Sequence, residues 1–397
     1  MSATINQSIW RLETRRPGLT IFGAGASGEI CCFNVRTAAK TSCCALSAGW
    51  INGLAYCAKT DSLAAATSRG ELFSLDASTL HTRMSLAVDY WLNGMKCLGN
   101  NSYLVTTAEG GVFVWDANSN DVRWLNERHS DQVWNCAVTK DGQLAATVGG
   151  NGELALWDIP KRELIRWFSK GGHTLTAVVM LESRGLVAAV DMGGLLTLWA
   201  IKSGQPICRF SAHDTRTWSM TVSHDEHRIV TAGADRRVVV WDVETLRILH
   251  EHQLNALPTA CKIHEPSRQV VAGDRAGVIH LLDDGSSSGA ASVSSVATAT
   301  ALASNRVVAF ISGRADSNPR SYSAILLSAL DKAKVAYSIV DVSDSPLRKQ
   351  SLARLSGCPL FPQLYVDGKF VGGSEVVCEM IESGAFWRVF HIQPSQQ

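Results

Sequence analysis

Thr231-Ala-Gly-Ala-Asp-Arg-Arg-Val-Val-Val-Trp241-Asp242, with His213 upstream, is the stretch whose reading decides the fold. Its pattern is a strand, a tight turn and a second strand that ends in Trp-Asp. Near-copies end at Phe33-Asn34, Leu75-Asp76, Trp115-Asp116, Trp157-Asp158, Trp199-Ala200, Trp241-Asp242 and Leu282-Asp283, with second residues 42, 40, 42, 42, 42 and 41 positions apart. Each copy has a glycine-containing turn before its last strand, such as Ser68-Arg-Gly70, Gly150-Asn-Gly152 and Gly233-Ala-Asp235. A constant step of about 40–45 residues is that of one four-stranded propeller blade. The seven copies therefore predict an all-β, seven-bladed β-propeller over residues 1–304.

Residues 8–285 resemble the WD-repeat family. The resemblance implies a hydrogen-bonded tetrad in each blade: a His, a Ser or Thr in the second strand, an Asp in the tight turn and the Trp. The sixth copy supplies all four as His213, Thr231, Asp235 and Trp241. The fourth keeps His129, Thr147 and Trp157 but has Asn151 at the turn. The third and fifth keep Trp115 and Trp199, and the first, second and seventh lack the Trp. A buried hydrogen bond contributes about 1 kcal/mol net. The apolar stack between blades is worth far more, so incomplete copies still fold as blades. His213 and Asp235 are read as structural residues.

The 397 residues suffice for a propeller and one smaller unit, and 46% hydrophobic with 18% charged residues describes a folded chain. Lys+Arg 37 against Asp+Glu 36 gives no bias toward nucleic acid or membrane, and neither is expected as a partner. No apolar run reaches the roughly 18 residues that a span requires. Met1-Ser-Ala-Thr-Ile-Asn-Gln7 lacks the basic and apolar regions of a secretory signal. Eleven cysteines include the adjacent pairs Cys31-Cys32 and Cys43-Cys44, without metal-ligand spacing. Strand neighbours face opposite sides, so these are read as buried free thiols, and no metal is expected. Free thiols fit a reducing compartment, and the cytoplasm is the expected location.

The seventh copy runs into Gly285-Ser-Ser-Ser-Gly289 and then a Val/Thr-rich segment. We read residues 292–302 as the outer strand of the seventh blade; the alternative is that Ala3–Ser8 closes the ring. From Arg306 the pattern changes. Val307–Ile311, Val335–Val340, Leu364–Val366 and Lys369–Val371 read as strands. Ser321–Lys334, Pro346–Leu355 and a segment from Ser374 read as helices, with Ser374 as N-cap. The order β-α-β-α-β-β-α predicts a small α/β thioredoxin-type fold over residues 305–397, which makes the chain multidomain.

This C-terminal part resembles the monothiol glutaredoxins, on Phe361-Pro-Gln-Leu-Tyr-Val-Asp-Gly-Lys-Phe-Val-Gly-Gly373 and the following helix. The resemblance implies that Pro362 is a cis-proline beside the active site. It implies that Phe361 offers backbone to a glutathione-like peptide, and that Gly372-Gly373-Ser374-Glu375 receives a carboxylate at a helix N-terminus. The family's Cys-Gly-Phe-Ser motif falls on Arg320-Ser321-Tyr322-Ser323, and its preceding lysine falls on Ser312. Thiol–disulfide exchange needs a thiolate, and a shared iron–sulfur cluster needs that same cysteine. Arg320 supplies neither. Cys358 lies four residues before Pro362 on the rim of the implied groove, and Cys378 is read as core.

In the first family the second-to-third strand turns and the blade-to-blade loops share one face. Arg216, Arg236, Arg237 and Arg275 would cluster there as a contact for an acidic peptide or phosphopeptide. The sequence therefore points to a non-enzymatic scaffold for other proteins in a multiprotein assembly. It has no catalytic residue and no cofactor, and its degenerate glutaredoxin-like domain is a second docking surface. The alternative is a redox-related protein whose C-terminal domain binds glutathione or a 2Fe–2S cluster.

Overall fold

Seven four-stranded antiparallel sheets form the N-terminal part of the computed structural model, and an eighth, mixed sheet follows. The structure describes residues 2–4 (backbone only), 8–15, 18–46, 49–243, 246–284, 306–312, 322–343, 349, 352, 356 and 361–390. The chain divides into two compact units, Met1–Asp242 with Ile248–Ser287 and Val243–Arg247 with Ser288–Gln397, and each is taken by itself.

Each sheet of the first unit is one blade, and in the first six the strands are ordered from the channel to the rim as the chain runs. The first is Ile9–Thr14, Thr20–Gly25, Glu29–Asn34 and Lys40–Ala45. The sixth is Thr217–Val222, Arg228–Gly233, Arg237–Asp242 and Ile248–Gln253. Second strands such as Ser62–Thr67 are buried throughout because blades cover both of their faces, so they read as unbroken runs of small and apolar residues. Outer strands such as Lys40–Ala45 face solvent at nearly every position.

The ring is held by packing between blades. Phe22, Ile30, Leu54, Leu63 and Leu75 fill the space between the first and second blades. Ile9, Ile21, Phe33, Ala260, Val271 and Ile279 do so between the seventh and the first. Each of the Val, Leu, Ile and Phe side chains among them contributes roughly 1.5–3 kcal/mol when fully buried. Every inner strand packs on its neighbours, including Pro258–His264 on Ile9–Thr14.

The seventh sheet corrects one expectation. Its outer position is taken by Ser2–Thr4, paired antiparallel with Val278–Asp283 in the register Ser2↔His280, Ala3↔Ile279, Thr4↔Val278. Residues 292–302, expected there, lie outside the described residues.

All seven inner strands share one irregularity. The register slips between Ile9 and Arg11, Ile51 and Gly53, Leu92 and Gly94, and Val133 and Asn135. It slips again between Leu175 and Ala177, Thr217 and Ser219, and Pro258 and Ala260. A bulge leaves one residue unpaired and re-aims its side chain. The residues so released are Trp10, Asn52, Asn93, Trp134, Thr176, Trp218 and Thr259.

In the second unit the strands lie in the order Ser338–Asp341, Val307–Ile311, Gln363–Val366, Lys369–Gly372. The first pair is parallel and the others are antiparallel. Val307, Ala309 and Ile311 face a core built with the helices Tyr322–Lys332, Ser374–Glu382 and Ala385–Phe390. Val308 and Phe310 face a second core with Val342, Leu352 and Tyr365. That division is the alternation of a strand. Most of the helix expected at 346–355 lies outside the described residues. The N-cap of Ser374–Glu382 is Gly373, in extended conformation, and not Ser374. Ser374 is instead the first helical residue and is buried, so its hydroxyl caps nothing.

Candidate functional site

The sixth blade holds its four polar residues in one line. His213 Nδ1 lies 2.9 Å from Asp235 Oδ1, and His213 Nε2 lies 2.9 Å from Thr231 Oγ1. Trp241 Nε1 donates to the same Thr231 oxygen at 2.9 Å. Burial lowers the His213 pKa below its ordinary value, against the pull of Asp235. In the fourth blade Thr147 Oγ1 lies 2.7 Å from His129 Nε2 and accepts from Trp157 Nε1 at 2.7 Å. The acid there is Glu153, which sequence reading missed, and not the turn residue Asn151. Its carboxylate is 3.2 Å from His129 Nδ1, off the line a hydrogen bond requires. Asn151 instead donates to Ser130 Oγ at 3.2 Å.

The four arginines expected to form a contact face do not form one set. Arg237 is bound internally. Its Nη2 lies 2.9 Å from Asp235 and 3.5 Å from Asp214, and its Nη1 lies 3.4 Å from Glu251. It braces the tetrad acid, so its charge is engaged within the blade. Arg216 stacks over the Trp218 ring, 4.6 Å from its centroid. Arg236 is exposed at the turn with φ 66°. Arg275 is exposed, its carbonyl accepts from Ser8 Oγ at 2.9 Å, and it lines the mouth of the central channel.

That mouth is the cavity that sequence reasoning overlooked. It has a volume of about 640 Å³ and is lined by all seven bulged residues, with Trp50 and Trp91 from the blade-to-blade connections. Polar side chains stitch the blades around it. Asn52 Nδ2 donates to Leu92 O at 3.0 Å, Thr176 Oγ1 donates to Thr217 O at 2.6 Å, and Thr259 Oγ1 donates to Ile9 O. Arg11 extends across three blades: its Nη1 donates to Trp10 O at 2.9 Å, its Nη2 to Asn93 O at 2.9 Å, and its Nε to Asn52 O. Burial brings its pKa down to about 10. The signal was present as a step, since the bulged residues are 42, 41, 41, 42, 42 and 41 positions apart. Trp, Asn and Thr share no chemical class, so no motif marks them.

The cysteines of the first blade are also corrected. Cys31 and Cys43 are opposite residues of neighbouring strands with Cα atoms 4.2 Å apart, and they form a disulfide. Each adjacent pair splits across two faces, so partners are found across the hairpin and not along the strand. Cys32 and Cys44 remain free thiols.

In the second unit Ser312 and Tyr322 are exposed and Ser323 is buried. Arg320, Ser321 and Cys358 lie outside the described residues. The Phe361–Pro362 bond is cis, as the resemblance implies. A Cβ added at Gly373 would lie 3.5 Å from Pro362 O, so the corner Gly372-Gly373-Ser374-Glu375 stands beside that proline. No group of three His, Cys, Asp or Glu is assembled among the described residues. The one described cysteine of this unit, Cys378, has its thiol pushed up by burial and by Glu382 and Glu375.

Fold and site define the class: a seven-bladed propeller of WD repeats followed by a small glutaredoxin domain. The Glutaredoxin family signature matches residues 321–371, and the WD domain, G-beta repeat signature matches 123–158 and 204–242. Probable monothiol glutaredoxin 2 of Rickettsia typhi is 32% identical over 84 residues, which cover 21% of this chain and 76% of the relative. The chain belongs to the monothiol glutaredoxin family through this domain and carries WD repeats ahead of it. Autophagy-related protein 16 of Arabidopsis thaliana is 27% identical over 158 residues, 38% of this chain and 29% of the relative. Monothiol glutaredoxin-S11 of Oryza sativa subsp. japonica is 29% identical over 149 residues, 36% of this chain and 30% of the relative. The chain thus spans less than a third of the length of these last two relatives.

Proposed function

We propose that this chain is a non-enzymatic scaffold for protein partners, with the glutaredoxin domain retained as a docking surface. The observation that carries this reading is the residue at the motif's thiol position: Arg320 stands where thiol–disulfide exchange or cluster ligation needs a cysteine. Ser312 in place of the lysine removes the cation that would stabilise a thiolate. The WD repeats support the partner class, since a rigid ring offers several faces at once. Fold alone does not establish function, so the missing thiol carries the weight. The proposed location is the cytoplasm, since eight of the ten described cysteines stay outside the disulfide, although the Cys31–Cys43 bond itself points to an oxidising compartment.

The test is reconstitution of the full chain with iron, sulfide and glutathione, followed by its visible spectrum and a glutathione-dependent disulfide reduction assay. The expected result is no stoichiometric cluster band and no turnover. A band or turnover that is lost in Cys358→Ser would overturn the reading in favour of a redox protein.

A further inference from the structure

Arg11 is a half-buried cation with no carboxylate partner among the described residues. Three backbone carbonyls hold it, and each uses one of its five N–H donors. One N–H on each terminal nitrogen is left over to donate to an acceptor such as a carboxylate. Lys96 lines the adjoining stretch of channel with Arg11, and it too has no carboxylate partner among the described residues. The nearby Glu13 is occupied by Lys262 at 2.6 Å.

The surroundings ask for the same ligand. Asn93 is 5% exposed and lines the mouth, and its Nδ2 has no partner. The indole Nε1 atoms of Trp134 and Trp218, also at the mouth, are buried without a partner. All three are donors, and a buried donor left unmade costs about 1–3 kcal/mol. No Asp or Glu is found among the described residues lining this cavity, whereas Arg11 and Arg275 both are. The mouth therefore presents unpaired donors and positive charge, and no carboxylate among its described lining residues.

The walls set the form of the ligand. Trp10, Trp50 and Trp91 stand edge to face in a row, with centroids 5.3 and 5.6 Å apart. Trp50 and Trp91 are 45% and 42% exposed, so the row continues outward from the cavity. An exposed aromatic strip beside a half-buried cation suits a chain with apolar groups on either side of an acid. We propose that the channel mouth binds the side-chain carboxylate of an Asp or Glu in an extended segment of a partner protein. Arg11 pairs with the acid and the tryptophan row packs its apolar neighbours. This rests on the scaffold reading and assigns it a site.

The probe is a pool of acetylated, amidated nonapeptides with a central Glu and apolar or small residues at randomised flanks. Control pools carry Gln or Arg at the centre. The immobilised full chain is expected to retain the Glu pool about tenfold more than the Gln pool, a difference of about 1.4 kcal/mol. Arg11→Met is expected to remove that preference. Because Arg11 also joins three blades, exposed Trp91→Ala serves as a second variant and is expected to weaken retention of the Glu pool at least threefold. Equal retention of Glu and Gln pools by the wild type overturns the inference, as does an unchanged preference in folded Arg11→Met. A defined partner set recovered equally by wild type and Arg11→Met would sink this site and leave the scaffold reading standing. No reproducible partner set would sink the scaffold reading itself.

Discussion

Thr231→Val separates a tetrad that holds its blade from one that merely decorates it. The wild-type hydroxyl serves two buried partners at once, accepting from Trp241 Nε1 at 2.9 Å and lying 2.9 Å from His213 Nε2. With Asp235 fixing the proton on Nδ1, the hydroxyl donates to Nε2 and the four groups form a one-way relay. Thr231 and His213 have 0% exposure and Trp241 has 5%, so water does not replace the lost oxygen. Valine has nearly the same shape, hence little cavity cost. Stranding one donor and one acceptor at about 1–3 kcal/mol each predicts a loss of roughly 2–5 kcal/mol. Native-state hydrogen exchange over residues 213–242 reads this locally, without mixing in the second unit's own unfolding. In a Trp241→Phe background the indole donor is already gone, so Thr231→Val should cost about 1–2 kcal/mol less. A cost below about 0.5 kcal/mol, or the same cost in both backgrounds, would refute the relay.

Gly233→Ala should open the same blade while deleting no polar group, because the new Cβ would fall 2.3 Å from His213 Nδ1 and 2.8 Å from Asp235 Oδ1 and push the two apart. Loss of exchange protection over 213–242 checks it. Acid should weaken the fourth blade. Burial holds the His129 pKa at about 4, below its ordinary 6.5, so the folded state binds fewer protons and stability falls as pH drops from 6.5 toward 4. At ~1.4 kcal/mol per pH unit the loss is about 3 kcal/mol. Exchange over residues 129–158 at stepped pH measures it, and His129→Gln should flatten the slope. Unreduced peptide mapping should recover Cys31 linked to Cys43, and Cys43→Ser should cost about 2–3 kcal/mol, on the loop-closure argument, in the first blade.

The period of the propeller was legible because each blade repeats its punctuation: a glycine turn, then Trp-Asp or a relative of it. The tetrad of the sixth blade could be named residue by residue for the same reason. Its fourth-blade counterpart could not, since the acid moved from the turn to Glu153, where spacing gives no hint. Ring closure was misjudged on propensity. Residues 292–302 are rich in Val and Thr, whereas Ser2-Ala-Thr4 is too short to carry a strand signal, yet it is the one paired with Val278–Asp283. The disulfide was hidden because its partners meet through hairpin register, which depends on the turn and not on the adjacency of cysteines. In the C-terminal part the glycine-rich corner and the cis bond before Pro362 were readable, while the identity of the N-cap was not.

The arginines show why residue type alone misplaces an interaction site. Arg236-Arg237 looked available because the tetrad appeared complete without them. Three carboxylates now account for Arg237, and an ion pair already satisfied has little charge left to offer a partner. Arg11 was not singled out in the sequence, and among the described residues no carboxylate pairs with it. The difference is topological. Arg237 sits beside the turn, where neighbouring loops supply acids, whereas Arg11 follows a bulge at the channel, where neighbouring inner strands supply carbonyls. Carbonyls position a guanidinium without neutralising it. A propeller that leaves a positioned, unneutralised cation at the convergence of its seven inner strands is poised to receive charge from outside the chain.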